Sequence, residues 1–529
     1  MGEPRKHDTG LAALDGQVFD VVVIGGGIIG ASSAREAAAA GYSVLLVEKG
    51  DFASGSSSRS SRLLHCGLRY FEAPAPLRYF ARHPRRFLTA LRMARQAMRD
   101  RREIVRTAQA RVRPIDFYFP VHEGGPYRPW QVDMAFRLLG RLAPGDVPLD
   151  YRMLPRDRAL EVPMVAALGG GERLQSAARF TEYQFDWPER LCIDAVLDAE
   201  AAGAVALNYT RAALGDLAGD LRKVTLTARD GSQAEVGARR VMTMAGIWID
   251  RVLGTSGVTP GRKVFGTKGA HIVFRLPEKY RNQGITTINS HGEPFYCIPW
   301  HDLHYIGPTE TPYDGDPDDI RVDRDDLDFL LAETDALFPG LGVTRDKVIR
   351  TWAGVRPLTY DAAHPKGNRS RMLHDLGPEG LPGVHAMTAG PIMTHRDSGR
   401  AVVAALRRGG LAPSGTPTTL DYAPHMPEPH SNTLRIAEGA DYTLADVRKA
   451  VRDEHARTLM GVLHRRSGVG LRHRFSAEEI ARVAEVMAAE LGWSETERRQ
   501  EADRFRQEAD RFYGIPDRSA EDFAARNDP

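Results

Sequence analysis

The sequence predicts an α/β protein: a parallel-sheet domain, interleaved with a second, mixed-sheet domain and followed by a helical C-terminal domain. Three observations predict it. A complete βαβ unit lies near the N-terminus. Short strand-like runs alternate with helical stretches through the middle of the chain. A composition shift near residue 410 leads into sequence that reads as helix only. At 529 residues the chain is too long for one compact core, and roughly 150 residues per domain gives three or four.

The βαβ unit opens with Phe19-Asp20-Val21-Val22-Val23-Ile24, short and β-branched as a strand buried on both faces requires. Gly25-Gly26-Gly27-Ile28-Ile29-Gly30 follows at once. An alanine-rich helix over 31–40 stops at Gly41, and residues 43–47 form a second buried strand that ends on Glu48. Further strands are expected at 204–209, 223–227, 241–244, 271–276, 295–300 and 304–307. Helices are expected at 325–338 and 391–406, the latter with Pro391 in its first turn. Pro, Gly, Ser and Thr crowd 409–432, as in a linker. Three amphipathic helices follow, at 443–466, 477–491 and 495–513.

Composition narrows the function. Lys plus Arg is 71 and Asp plus Glu is 69, a net charge of +2 that argues against a generic nucleic-acid binder. Cys66, Cys192 and Cys297 have neither a disulfide framework nor metal-ligand spacing, so a reducing compartment and no metal site are expected. No apolar run is long enough to span a bilayer, and the first 17 residues lack the hydrophobic stretch of a signal peptide. They read as a flexible tail. One segment, 77–113, holds twelve arginines with apolar residues at helical spacing. It reads as a solvated basic helix face, or as a helix lying on an anionic membrane surface.

Gly25, Gly27 and Gly30 form G-x-G-x-x-G between a strand and a helix, with the acidic Glu48 eighteen positions after the last glycine. The first glycine permits a tight turn, the second a close approach to pyrophosphate, and the third close helix–strand packing. The helix N-terminus adds free N–H groups and a positive dipole. Glu48 would accept hydrogen bonds from ribose hydroxyls and disfavour a 2′-phosphate. The motif leaves NAD and FAD open. The run of serines and glycines from Ser54 to Ser61 can wrap a long cofactor, with hydroxyls such as those of Ser57 and Ser61 on phosphate and ribitol.

This loop runs on into His65-Cys66-Gly67-Leu68-Arg69-Tyr70 and resembles that of the FAD-dependent glycerol-3-phosphate dehydrogenases of the aerobic, quinone-linked type, which carry His-Gly-Gly-Leu-Arg-Tyr there. Lys268-Gly269-Ala270-His271, Ile298-Pro299-Trp300 and Gly307-Pro308-Thr309-Glu310 are similar to further family motifs. Gly354-Val355-Arg356-Pro357-Leu358 matches one outright. The likeness covers roughly residues 18–515. It implies an FAD-binding Rossmann-type domain of the D-amino-acid-oxidase-like kind over 18–75, 190–260 and 350–410. The substrate domain takes 76–189 and 261–349, a linker 411–435, a helical domain 436–515, and a tail 516–529.

The resemblance also implies the chemistry. Hydride leaves the carbinol carbon of sn-glycerol 3-phosphate for flavin N5 while a base takes the hydroxyl proton, and electrons pass to a quinone or another acceptor. Arg69, Tyr70, Arg356 and Arg369 correspond to the substrate pocket. Gly25, Gly27, Gly30, Glu48, Ser57, Ser61, His65, Gly246 and Gly390 correspond to the cofactor site. His271 is either the proton acceptor or a group that only bonds substrate or backbone. A cytoplasmic protein, peripheral on the inner face of the membrane through 77–113, fits this picture. The chain departs from the family at Ala389-Gly390-Pro391-Ile392-Met393-Thr394-His395-Arg396, where Pro391 stands in the place of a lysine and His395 in that of a tyrosine. These departures carry the alternative substrates, another polyol phosphate or a specialised-metabolism hydroxyl compound. A flavin-binding scaffold without turnover is the remaining class.

Overall fold

A computed structural model describes residues 10–71, 76–142, 145–363, 367–426 and 434–517. The first sheet is eight-stranded. Its parallel core runs Val384–Thr388, Gln233–Thr243, Val18–Ile24, Val44–Val47 and Val205–Leu207 in spatial order. Apart from the eleven-residue Gln233–Thr243, which carries several polar residues, these strands are short and mostly apolar, as cover by helices requires. Ile28–Ala39 packs between the helices Pro188–Ala201 and His395–Arg408. The first strand is buried from Phe19 to Ile24, as its β-branched run predicts.

The second sheet has ten strands and lies across the first domain. Val264–Phe274 pairs with Leu303–Gly307 on one side and with Val348–Thr359 on the other. Leu174–Phe185 pairs along Val112–His122 and carries the short strand Leu63–Leu64 on its other edge. Two segments expected with the first domain therefore belong here. Val348–Thr359 pairs residue by residue with Val264–Phe274, and Leu63–Leu64 leaves the cofactor loop to join this sheet. Only long-range pairing places them, and local sequence does not report it. The strands expected at 204–209, 223–227 and 241–244 lie in the first sheet, within the 190–260 span expected of the first domain.

Three other expectations change. Of the N-terminal tail, residues 10–17 are tied down: Leu14 is buried, and Gly16 and Gln17 bond the backbone of Glu235 and Gly237. The helix expected over 443–466 divides into Leu444–Asp453 and a wide-turn segment Gly461–Arg466. Between them His455 takes a positive φ of 57°, and Glu454 turns inward to a two-pronged ion pair with Arg190 at 2.7 and 2.8 Å. Finally, 77–113 is two consecutive helices, Pro76–Arg82 and Pro84–Thr107, broken at His83 and leading into a strand. Its inner arginines are structural. Arg101 is fully buried and donates to the carbonyls of Val147, Pro148 and Thr181. Arg111 is paired with Asp194. Arg78, Arg82, Arg85, Arg86, Arg92, Arg95 and Arg99 face solvent. No helix among the described residues is long and apolar enough to cross a membrane.

Candidate functional site

One cavity of about 890 Å³ runs between the two sheets. That is near the top of the range of roughly 300–1,000 Å³ for ligand pockets. Gly25, Gly27, Glu48, Ser57, Ser61, His65, Tyr70, Gly246, His271, Arg356, Arg369 and Gly390 all line it. Gly30 stands behind the wall, as a packing glycine should: a Cβ there would lie 1.8 Å from the carbonyl oxygen of Gly25. Gly25 itself has a φ of +112°. The Arg69 side chain lies outside the described residues.

At one end the glycine turn presents the N-terminus of Ile28–Ala39. Ser57 Oγ accepts from the Ile28 N–H at 2.9 Å, which places the serine loop over that helix end. Glu48 Oε2 accepts from the Gly26 N–H at 2.7 Å and Oε1 from the Gly50 N–H at 2.7 Å. Burial pushes its carboxyl upward, against those two hydrogen bonds. Turn, helix end and acid are arranged as a dinucleotide requires.

At the other end His271 stands on Val264–Phe274, stacked on Trp352 with ring centroids 4.8 Å apart. Its Nε2 is 3.1 Å from Ser61 Oγ, and its Nδ1 is buried without a hydrogen-bond partner. Burial holds its pKa well below the ordinary value, and Arg356 and Arg62 add to the effect. Arg356 pairs across the strands with Thr267 and lays its guanidinium over Gly269, where a Cβ would come within 3.0 Å of Nη2. Arg369 is ion-paired to Glu310. Tyr70 packs edge-on to His65 at 5.5 Å, and His65 Nδ1 accepts from the Gly67 N–H.

The cavity also takes residues that sequence reading missed. Arg62 is buried among Trp187, Trp300 and Trp352, its guanidinium 4.9, 4.4 and 5.7 Å from their rings. Arg59, Glu182, Arg465, Glu508 and Phe512 line it as well. Arg59 and Arg62 sit in the serine loop and could have been singled out by position. Arg465 and Phe512 come from the C-terminal helices, and nothing local marks them. Pro391 lines the cavity too, while His395 is buried and its Nδ1 lies 2.8 Å from the carbonyl of Ile392.

Residues 20–396 match the family described as FAD dependent oxidoreductase, and residues 416–498 match the C-terminal domain of alpha-glycerophosphate oxidase. The chain belongs to the FAD-dependent oxidoreductases. Among its relatives is a glycerol-3-phosphate dehydrogenase of Synechocystis sp., 28% identical over 537 residues, covering 90% of this chain and 94% of that protein. Another is the aerobic glycerol-3-phosphate dehydrogenase of Staphylococcus haemolyticus, 28% identical, covering 74% and 67%. The expectation from the motifs is thereby met at the level of family and cofactor. In fold, the chain is similar to the glycerol-3-phosphate dehydrogenase of Bacillus halodurans complexed with FAD, at 22% identity and a TM-score of 0.69 over 96% of this chain and 98% of that one. It is also similar to an FAD-bound L-alpha-glycerophosphate oxidase of Mycoplasma pneumoniae, at a TM-score of 0.59 and 15% identity over 78% and 100%.

Proposed function

We propose that this flavoenzyme oxidises sn-glycerol 3-phosphate to dihydroxyacetone phosphate and passes the electrons to a quinone. The observation that carries the reading is the meeting, in one cavity, of a dinucleotide-binding turn with a buried neutral imidazole and Arg356. Bound FAD supplies the hydride acceptor. Gly25, Gly27, Glu48, Ser57 and Ser61 would hold it, with Gly246 and Gly390 at the cavity wall. Arg356 clamps the phosphate, its planar fork matching two oxygens. Arg369 joins it by exchanging its Glu310 partner.

His271 takes the hydroxyl proton. When its Nε2–H donates to Ser61 Oγ, the lone pair lies on Nδ1, the nitrogen without a partner. A phosphate held at Arg356 offsets the guanidinium charge that depresses the imidazole, so substrate binding itself raises the basicity of the acceptor. Tyr70, at the same wall, faces the substrate from the loop side.

Anaerobic bleaching of the flavin's visible absorbance tests the reading. Glycerol 3-phosphate is expected to reduce the flavin, and unphosphorylated glycerol is not. The second reading, another polyol phosphate, is favoured by Pro391 at the cavity wall. Bleaching only by such a compound selects it, and bleaching by none of a broad panel overturns both.

A quinone acceptor calls for membrane contact, and the helices Pro76–Arg82 and Pro84–Thr107 offer a surface for it. Arg78, Arg82, Arg85 and Arg86 are exposed beside Leu88, itself 50% exposed, with Phe71, Phe80 and Phe87 clustered beneath. Reversing the charge of Arg82, Arg85 and Arg86 to Glu is expected to abolish co-sedimentation with vesicles containing phosphatidylglycerol. Equal sedimentation of wild type and variant leaves these arginines as a solvated face.

A further inference from the structure

The wall that the second sheet gives to the cavity is largely aromatic. Phe117 lies 5.8 Å from Phe180 and 6.4 Å from Tyr296, ring to ring, and all three line the cavity. Among the described residues, the strands of that sheet put one carboxyl into the wall, Glu182 on Leu174–Phe185. Its Oε1 accepts from the Cys66 N–H at 2.9 Å. Its Oε2 is buried and has no hydrogen-bond partner. Arg101, the nearby cation, is committed to three backbone carbonyls and forms no ion pair with it.

The strand links this carboxyl to the residues around His271. Gln184 is one same-face position further on, roughly 6.6 Å along the strand. Its amide donates to the carbonyl of Pro299 and to the Tyr305 hydroxyl. Tyr305 in turn donates to the carbonyl of Ser61, and its ring lies 6.0 Å from that of His271. Burial raises the Glu182 pKa to about 7, against the pull of Arg101 and the Cys66 hydrogen bonds. A carboxyl that carries a proton much of the time can both donate and accept, which is what a hydroxyl group needs from a partner. A phosphate beside it would be repelled whenever it ionised.

We propose that Glu182 is a specificity-determining residue whose Oε2 binds a substrate hydroxyl at the end remote from the phosphate. The assignment rests on the polyol-phosphate reading above, with the phosphate at Arg356. Substrates that carry this second hydroxyl fill the last hydrogen-bonding position of the carboxyl. Those that lack it leave a buried polar oxygen unpaired, and discrimination follows from that penalty.

The test is anaerobic flavin reduction of the full-length holoenzyme by sn-glycerol 3-phosphate and by propane-1,2-diol 1-phosphate, which lacks the remote hydroxyl. Wild type is expected to prefer glycerol 3-phosphate at least ~30-fold in reduction efficiency. In Glu182→Leu both compounds are expected to reduce the flavin with similar, low efficiency. The isosteric Glu182→Gln keeps an amide in place and is expected to narrow the preference at least threefold. An unchanged preference in both variants overturns the proposal, as does an unchanged preference in the Gln variant when the Leu variant fails to retain flavin. Failure of the function itself reads differently. If glycerol 3-phosphate leaves the wild-type flavin oxidised and another polyol phosphate bleaches it, the same comparison is made with that compound and its deoxy counterpart. If no phosphorylated polyol reduces the wild-type flavin, both readings fall together.

Discussion

Arg466→Ala is expected to release bound FAD and to lower stability by about 3–5 kcal/mol, the usual effect of breaking a buried ion pair. Asp51 follows Glu48 in the loop that wraps the cofactor, and its carboxylate is buried. Arg466, from the C-terminal helices, meets it with Nη1 at 2.6 Å and Nη2 at 2.9 Å, and Arg465 adds a contact at 3.1 Å. Asn208 donates to the same carboxylate. Burial alone would push this acid upward, yet the two arginines and these hydrogen bonds hold it at about 2. The loop it anchors is fastened to the glycine turn: the Ala53 N–H donates to the carbonyl of Gly26, and Ser57 Oγ accepts from the Ile28 N–H. Removing Arg466 leaves a buried charge half compensated and loosens the segment over the helix end. Flavin retention on gel filtration and thermal unfolding followed by flavin fluorescence both read the loss. Arg466→Lys keeps the charge without the fork and is expected to fall between. The pH dependence has a definite sign. In the wild type, the stability contributed by this acid is present above the unfolded value near 3.9 and fades as pH falls toward 2. In the alanine variant burial dominates and lifts the carboxyl above its unfolded value, so the sign reverses and stability rises as pH falls through that range. Retention of flavin equal to wild type would detach the C-terminal helices from the cofactor loop.

That ion pair also marks where sequence reading stops. The glycine turn was legible because its demands are local: a strand, a turn that accepts positive φ, a helix and an acid lie within thirty consecutive residues. The strands Val205–Leu207, Leu221–Ala228, Pro294–Trp300 and Leu303–Gly307 were legible for the same reason, whereas Thr210–Ala218 and Gln283–Ile288 between them were not anticipated. Three motifs distant in sequence placed His271, Arg356 and Ser61 at one site, and the sheet register and the Ser61–His271 contact join them. What escaped depends on partners far along the chain. Periodicity runs straight through Glu454 and His455, but Arg190 draws Glu454 inward and the helix breaks there. Composition counts Arg101 with the exposed arginines, although three carbonyls from other segments bury it. Arg465, Phe512 and Glu182 reach the cavity only through the packing of sheet and C-terminal helices. Even the stretch expected to be a linker is fixed in its described part, where Ser414 bonds Asp20, Gly415 bonds Gly41, and Tyr422 lies against Arg35 and Arg396.

Arg356→Ala is expected to lower kcat/KM for the phosphorylated substrate about 10- to 150-fold, from the loss of a charge-assisted contact of roughly 1.5–3 kcal/mol. The loss should fall mainly on KM, because a phosphate distant from the reacting carbon is held alike in ground and transition states. A second readout separates this from simple misfolding. Burial is the largest cause of the depressed His271 pKa, and the Arg356 guanidinium is the next. With that charge gone, the imidazole of the free enzyme titrates at higher pH. The acid limb of the kcat/KM profile, where protonated His271 can no longer accept the hydroxyl proton, is expected to move upward with it. Arg356→Lys keeps a positive charge near the ring and should leave the limb close to its wild-type position while still weakening phosphate binding. A variant whose KM rises with no movement of the acid limb would remove His271 from proton transfer and leave Arg356 in the pocket. An unchanged kcat/KM would remove Arg356 as well. The two measurements together test whether His271 on Val264–Phe274 carries the proton and Arg356 on the neighbouring strand Val348–Thr359 the phosphate.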